Sequence, residues 1–99
     1  MKKQITQKKE LQESEVTIEE SSELLREAEI IVYNDNVNDI NYVIKCFCRI
    51  LGHTVEQASQ CTYLIHYKGR CGVKKGTIKE LQPLLEALLD SKLSALIEC

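Results

Sequence analysis

Three side chains that can accept hydrogen bonds from an ammonium group are the most informative feature of this chain. Asn34 and Asp35 directly follow an apolar run that ends at Tyr33, and His66 lies in a later segment with helical spacing. An ammonium group has three N–H donors in a tetrahedral array, and an amide oxygen, a carboxylate and a neutral imidazole can each accept one. Capture of a peptide's free N-terminus requires this chemistry. The residue types therefore predict an α-amine site made by Asn34, Asp35 and His66.

Each of these residues also has an ordinary structural explanation. Asn and Asp satisfy backbone groups in loops after strands, and a single histidine is often a core residue bonded to a carbonyl. The helical phase of His66 favours a ligand, because at about 100° per residue it lies beside Thr62 and near Ile65, at the edge of an apolar stripe. An apolar pocket can meet a polar mouth there. We expect Asn34 to contact the amine more directly than Asp35, which would act through water or by charge.

Length and composition allow one small domain in these 99 residues. Residues 1–27 alternate Lys and Glu with isolated apolar side chains, too few to offset the entropy of ordering. We therefore predict a flexible N-terminal extension over 1–27 and a folded domain over 28–99, with the border between Ser21 and Ala28. The formal net charge of −2 comes from the extension. Acidic and basic residues balance in 28–99, which argues against a nucleic-acid partner.

The sequence also argues against a membrane span and against a metal or disulfide framework. No apolar run approaches the roughly 20 residues of a spanning helix, and the N-terminus lacks the apolar stretch of a signal peptide. We expect a cytoplasmic protein without a membrane partner. The five cysteines are an odd set without C-x-x-C spacing, which disfavours disulfides and structural zinc. No metal, cofactor or catalytic residue is expected.

Apolar periodicity predicts the first half of the domain as a strand followed by two helices. A β-branched run over residues 29–33 stops at Asn34, as a strand before a loop does. A helix is predicted to begin after Asp39 and to end at Gly52. A second begins at Thr54, which forms a capping box with Gln57, and ends at Gly69.

The second half predicts a strand over 71–74, a third helix from Thr77 to about Asp90 and a final strand over 93–98. Thr77 and Glu80 repeat the capping-box pattern. Pro83 predicts a kink, or a start of the helix nearer to it, because proline removes a helical hydrogen bond. The order strand, helix, helix, strand, helix, strand is typical of a small α+β sandwich with helices over one sheet.

The chain resembles the ClpS family, the adaptors of Clp proteases. The resemblance spans residues 28–98 and rests on the order and spacing of several residues: Asn34-Asp35, Tyr42-Val43, Leu51-Gly52, Ala58, His66, Gly69 and Val73. It implies the same order of elements and delivery of proteins with destabilising N-terminal residues to a Clp-type AAA+ unfoldase. It also implies that Asn34, Asp35 and His66 are the α-amine ligands. The matching side-chain pocket comprises Asn36, Asn38, Ile40, Val43, Thr62, Ile65 and Leu93.

Four of these pocket residues depart from the family's pattern. Asn36 replaces a frequent aspartate, Asn38 a frequent threonine, and Ile40 and Thr62 replace methionines. Because Thr is smaller than Met and carries a hydroxyl, Thr62 predicts a roomier and slightly more polar floor. Ile40 is stiff at its branch point and adapts less than Met. The accepted N-terminal side chains are therefore expected to differ.

The resemblance and the residues together predict a non-enzymatic adaptor. It would bind proteins with a bulky hydrophobic N-terminal residue, an N-degron, and deliver them to a Clp AAA+ ATPase–protease through the unfoldase's N-terminal domain. One alternative is a divergent relative that docks an ATPase or another protein without reading N-termini. Another is a thiol enzyme with Cys61 or Cys71 as nucleophile, His66 as base and Asp35 as orienting group. No cysteine-nucleophile signature surrounds either thiol.

Overall fold

The computed structural model describes residues 22–99 and, at the level of the backbone, Gln4 and Ile5. Its elements follow the predicted order, and the α+β prediction is confirmed. The strands are β1 (Gln4–Ile5), β2 (Glu27–Tyr33), β3 (Arg70–Thr77) and β4 (Ser94–Glu98), and the helices are α1 (Ile40–Cys46), α2 (Val55–Lys68) and α3 (Ile78–Asp90). A π-helical turn, Phe47–Leu51, extends α1 to the predicted end at Gly52.

The sheet is antiparallel, with the strand order β1-β4-β2-β3. β2 lies between β4 and β3, so the β-branched run that predicted a strand is paired on both sides. Its register places Ile30 opposite Ile97 and Val32 opposite Ala95, all turned toward the helices. β2 is a central strand of the sheet, and its last residue, Tyr33, pairs with the first residues of β3 and β4. The loop after β2 therefore begins beside the starts of both neighbouring strands.

The hydrophobic core lies between one face of this sheet and the three helices. Phe47, Ile78 and Leu88 are fully buried there, together with Ile30 and Ile97 from the sheet. Burying one such side chain contributes roughly 1.5–3 kcal/mol. The amphipathic stripe of α3 thus packs on β2 and β4, and α2 packs on β3. None of the described helices is long and apolar enough to cross a membrane.

The helix ends form where the capping residues predicted them. Thr54 and Thr77 each accept a hydrogen bond from the backbone N–H three residues on, and both capping boxes are complete. Gly52 and Gly69 adopt the left-handed conformation, with φ of 73° and 92°. Glycine takes such angles without the Cβ penalty of other residues. These local signals therefore set the start and end of α2, which carries Thr62 and His66.

Pro83 lies inside a continuous α3 that begins at Ile78. The predicted alternative, a helix start shifted toward Pro83, is wrong. The capping box at Thr77 holds the first turn, and Pro83 is on the exposed side of the helix. Water can therefore satisfy the carbonyl that proline leaves without an intrahelical donor.

Most of the predicted extension lies outside the described residues. Gln4 and Ile5 pair with Glu98 and Ile97 as a short edge strand, which the sequence did not predict. At the other end of the extension, Leu24 packs against the core. Contacts of the folded part thus reach back to Leu24, within the predicted border of 21–28.

Candidate functional site

One cavity of about 330 Å³ opens where β2 ends. It lies among the loop after β2, the start of α1, the last turns of α2 and the residue that precedes β4. Every residue that the sequence predicted for the amine site or the side-chain pocket lines it. The lining comprises Val32, Tyr33, Asn34, Asp35, Asn36, Asn38, Asp39, Ile40, Val43, Thr62, Ile65, His66 and Leu93.

The cavity has a buried floor and an exposed polar rim. Thr62, Ile65 and Leu93 are 4%, 6% and 5% exposed, whereas Asn34 and His66 are solvent-accessible. The volume is at the small end of protein ligand sites, which run from roughly 300 to 1,000 Å³. Such a cavity fits a single side chain with a polar group at its mouth.

The end of α2 brings Asn34 close to the helix that carries His66. The Asn34 N–H donates to the Gly69 carbonyl over 2.9 Å, one residue beyond the last β2–β3 pair of Tyr33 and Arg70. Gly69 is the left-handed cap of α2, and His66 lies in the last turn of that helix. The strand end and the helix end are therefore joined by a backbone hydrogen bond.

The Asp35 carboxylate accepts most of its hydrogen bonds from its own loop. One carboxylate oxygen accepts from the backbone N–H groups of Val37 and Asn38, at 3.0 and 3.1 Å. The Asn38 amide nitrogen lies 3.3 and 3.2 Å from the two oxygens, and the Ser94 hydroxyl lies 3.5 Å from one. Asn and Asp commonly stabilise turns in this way. Asp35 thus shapes the rim and adds negative charge to it.

Asn34 and His66 keep their side-chain hydrogen-bonding capacity. Within residues 22–99, no hydrogen bond joins the Asn34 amide or the His66 imidazole to another protein group. The His66 ring contacts the Tyr67 ring edge-on, with centroids 5.2 Å apart. An amide oxygen and an imidazole nitrogen therefore remain at the rim as acceptors.

Thr62 makes the cavity floor less polar than the sequence predicted. Its hydroxyl donates to the Ala58 carbonyl of the same helix over 2.7 Å. Threonine in a helix often bonds the carbonyl four residues back in this way. Because the hydroxyl already donates its proton to Ala58, it does not need an acceptor on a ligand. The main expected consequence of Thr62 in place of Met is therefore a roomier floor.

The cysteines do not form the catalytic arrangement considered above. Burial and the neighbouring Cys71 thiol raise the pKa of Cys61 to about 11. A thiol that stays protonated at neutral pH is a poor nucleophile. Asp35 bonds to its own loop rather than to His66, and the described lining contains no cysteine.

The sequence did not identify three of the lining residues. Val32 and Tyr33 lie in the strand that predicted only a core element, and Asp39 was predicted only as a helix cap. Asp39 does cap α1, accepting from the Asn41 N–H over 3.1 Å. For all three residues, closeness in sequence to Asn34 and Asp35 was the signal that could have predicted a place in the lining.

Comparison with known protein families identifies the relationship. Residues 25–95 match the family model described as ATP-dependent Clp protease adaptor protein ClpS. The chain belongs to the ClpS family. The match covers β2, β3, all three helices, the first two residues of β4 and every residue that lines the cavity.

Two Streptomyces proteins illustrate this similarity. Both are named ATP-dependent Clp protease adapter protein ClpS. The one from Streptomyces avermitilis is 34% identical over 58 residues, which cover 59% of this chain and 55% of the relative. The one from Streptomyces coelicolor is 33% identical over 58 residues, covering 59% of this chain and 60% of the relative. The chain thus matches somewhat more than half the length of each ClpS relative.

Proposed function

We propose that this ClpS-family chain is a non-catalytic adaptor for N-degrons. It binds proteins through a free N-terminus with a bulky hydrophobic first residue and delivers them to a Clp AAA+ ATPase–protease. The observation that carries the proposal is the cavity at the end of β2, which has an apolar, buried floor and, within residues 22–99, two unengaged acceptors at its rim.

The rim suits an ammonium group. In the proposed complex the Asn34 amide oxygen and the neutral His66 imidazole each accept one N–H of the peptide's α-amine. The negative charge of Asp35 favours the ammonium without a direct bond, because its oxygens already accept from Val37, Asn38 and Ser94. Two direct acceptors take two of the three ammonium N–H groups, and the nearby carboxylate complements the charge of the amine.

The floor suits one apolar side chain. Ile65 and Leu93 supply buried aliphatic walls, and Val43 adds a half-buried one. Transfer of a large apolar side chain from water into such a site contributes roughly 1.5–3 kcal/mol. An N-terminal Leu, Phe, Tyr or Trp would therefore gain affinity that a small or charged first residue does not.

Delivery of a bound protein requires a second partner for this chain. Family membership supports a Clp-type AAA+ unfoldase, engaged through its N-terminal domain. The chain matches only 55% and 60% of the two ClpS relatives. We therefore propose this partner rather than infer it from their names. The competing reading, an adaptor that docks the ATPase without reading N-termini, predicts no preference for the first residue of a peptide.

Fluorescence anisotropy with labelled peptides tests the function. Peptides beginning with free Leu, Phe, Tyr or Trp should bind, and the same peptides acetylated at the N-terminus should bind about tenfold more weakly or worse. Acetylation removes the charge and two donors, and hydrogen bonds to charged groups contribute ~1.5–3 kcal/mol each. Asn34→Ala should weaken binding of the free peptides, whereas Asn41→Ala, a matched change outside the lining, should not.

Equal affinity for free and acetylated peptides would refute amine recognition. Binding that ignores the first residue would support the competing reading instead. A peptide with serine in the first position serves as the reference for the apolar pocket.

A further inference from the structure

The turn between α3 and β4 sets the position of Leu93 on the cavity floor. Lys92 has a φ of 72°, in the left-handed region. The Lys92 N–H donates to the Leu89 carbonyl over 2.9 Å, and the Leu93 N–H donates to the Leu88 carbonyl over 3.1 Å. This pair of bonds is a Schellman motif in which lysine takes the place usually held by glycine. Because a Cβ disfavours that conformation, contacts from elsewhere must help to maintain it.

Two side chains from distant parts of the sequence contact this turn. The Asn38 amide donates to the Lys92 carbonyl over 2.9 Å, and the Tyr42 hydroxyl donates to the Ser91 carbonyl over 2.8 Å. Asn38 lies in the loop after β2 and Tyr42 lies on α1. The Ser91 carbonyl belongs to the C-cap of α3, where carbonyls lack intrahelical partners, and the Lys92 carbonyl is one residue beyond it. The two side chains therefore fasten the α3–β4 turn to the opposite side of the cavity.

Asn38 joins the turn to the rim as well as to the loop. Its amide nitrogen carries two hydrogens and lies within 3.3 Å of the Asp35 carboxylate as well as 2.9 Å from the Lys92 carbonyl. One amide group thus connects the acidic residue of the rim to the residue that precedes Leu93. Tyr42, by contrast, does not line the cavity. A change at Tyr42 therefore alters the turn without removing a contact from a bound side chain.

We propose that Asn38 and Tyr42 are positioning residues that hold the α3–β4 turn so that Leu93 forms the wall of the side-chain pocket. The inference rests on the proposed function, because it assigns them a role in choosing the first residue of a peptide. They act through Leu93: the turn they hold fixes how far that wall stands from the bound side chain. Loosening the turn enlarges the pocket without altering Asn34 or His66.

Tyr42→Phe is the decisive variant, with Tyr63→Phe as its matched control on the exposed face of α2. Hydrogen exchange followed by NMR reads the turn directly. Exchange at the Lys92 and Leu93 amides should accelerate between about twofold and tenfold in Tyr42→Phe, the range for loss of one neutral hydrogen bond. Asn38→Ala should give the same effect. Lys92→Gly combined with Tyr42→Phe should restore protection, because glycine adopts the left-handed angle freely.

Peptide binding supplies the second readout. The ratio of affinities for free peptides beginning with Leu and with Trp should change about twofold or more in Tyr42→Phe and stay constant in Tyr63→Phe, since unfilled volume costs the smaller side chain more contacts. Unchanged exchange at Lys92 and Leu93 in Tyr42→Phe would overturn the proposal. So would faster exchange with an unaltered affinity ratio. If the unmodified chain binds neither peptide, the proposed function fails, whereas the exchange data still decide whether Tyr42 holds the turn.

Discussion

Asn34 and Asp35 are adjacent in the sequence, yet their side chains differ in what they can still bind. The Asp35 carboxylate accepts hydrogen bonds within its own loop, while the Asn34 amide and the His66 imidazole are unengaged within residues 22–99. An acceptor already occupied by several donors has little capacity left for another. At the scale of single residues, the structure thus distinguishes two predicted amine ligands whose acceptors are unengaged within residues 22–99 from one whose carboxylate already accepts several hydrogen bonds.

His66 should make binding of free N-termini sensitive to pH. A protonated imidazole offers no acceptor and adds a like charge next to the ammonium, so acid should weaken binding. Among side chains, histidine is the usual switch of charge between about pH 5 and pH 8, so the comparison covers that range. Isothermal titration of a free Leu or Phe peptide should therefore show affinity falling as the pH drops from about 7.5 to about 5.5.

The variant His66→Ala is the control for this pH dependence. It should bind more weakly at the higher pH and lose most of the slope. A mutant with the wild-type slope, or a wild-type affinity that is flat across the range, would assign His66 a purely structural role at the rim.

At the scale of elements, three helix ends help to position the site. The cap of α2 at Gly69 bonds Asn34, Asp39 caps α1 beside the cavity, and the C-terminal turn of α3 precedes Leu93. Helix ends leave backbone groups without intrahelical partners, so side chains and loops bond there. Each end therefore links a rigid helix to a loop that lines the cavity.

Thr54→Ala tests how much one helix end contributes to stability. The Thr54 hydroxyl accepts from the Gln57 N–H over 3.1 Å, and the Gln57 side chain accepts from the Thr54 N–H over 3.0 Å. Removal of such a cap should lower the free energy of unfolding by about 1 kcal/mol. Urea denaturation would measure it, with Ser59→Ala in mid-helix as the control. Because Thr54 lies outside the lining, peptide affinity of the folded variant should not change; a parallel loss in Ser59→Ala would contradict the capping role.

At the scale of the whole molecule, the described cavity lining lies within the folded part of the chain. Every lining residue lies within 32–93, and the core contacts begin at Leu24. In the proposed adaptor, recognition depends on the folded part, and the segment before it assists hand-off to the protease. The short pairing of Gln4 and Ile5 with β4 lies at Ile97 and Glu98, beyond the lining residues.

Deletion of residues 1–21 tests this division of roles. Peptide affinity should remain within about twofold, because the described lining residues all lie within 32–93 and surface changes usually have small effects. Degradation of a tethered substrate by the Clp ATPase–protease should slow. A collapse of peptide affinity would mean that the N-terminal segment belongs to the binding site.

The sequence by itself determined the features that depend on near neighbours. The helix caps depend on residues only a few positions apart, so they can be predicted from the sequence. These caps are the capping boxes at Thr54 and Thr77 and the left-handed glycines Gly52 and Gly69. Apolar periodicity marked the strands and helices from β2 onward, and the resemblance to the family marked most of the residues that line the cavity. The π-helical turn after α1 was not marked, because its five residues keep a helical apolar pattern.

Only the tertiary structure decided what those residues bond to. Asn38 contacts Lys92 and Tyr42 contacts Ser91 across separations of 54 and 49 residues. The turn after α3 has a lysine at the left-handed position where glycine is usual. The same packing engages the Asp35 carboxylate in its loop, while no group in residues 22–99 bonds to the Asn34 or His66 side chain. Such contacts depend on how the sheet and helices bring distant segments together, whereas caps and periodicity depend on residues within one or two turns.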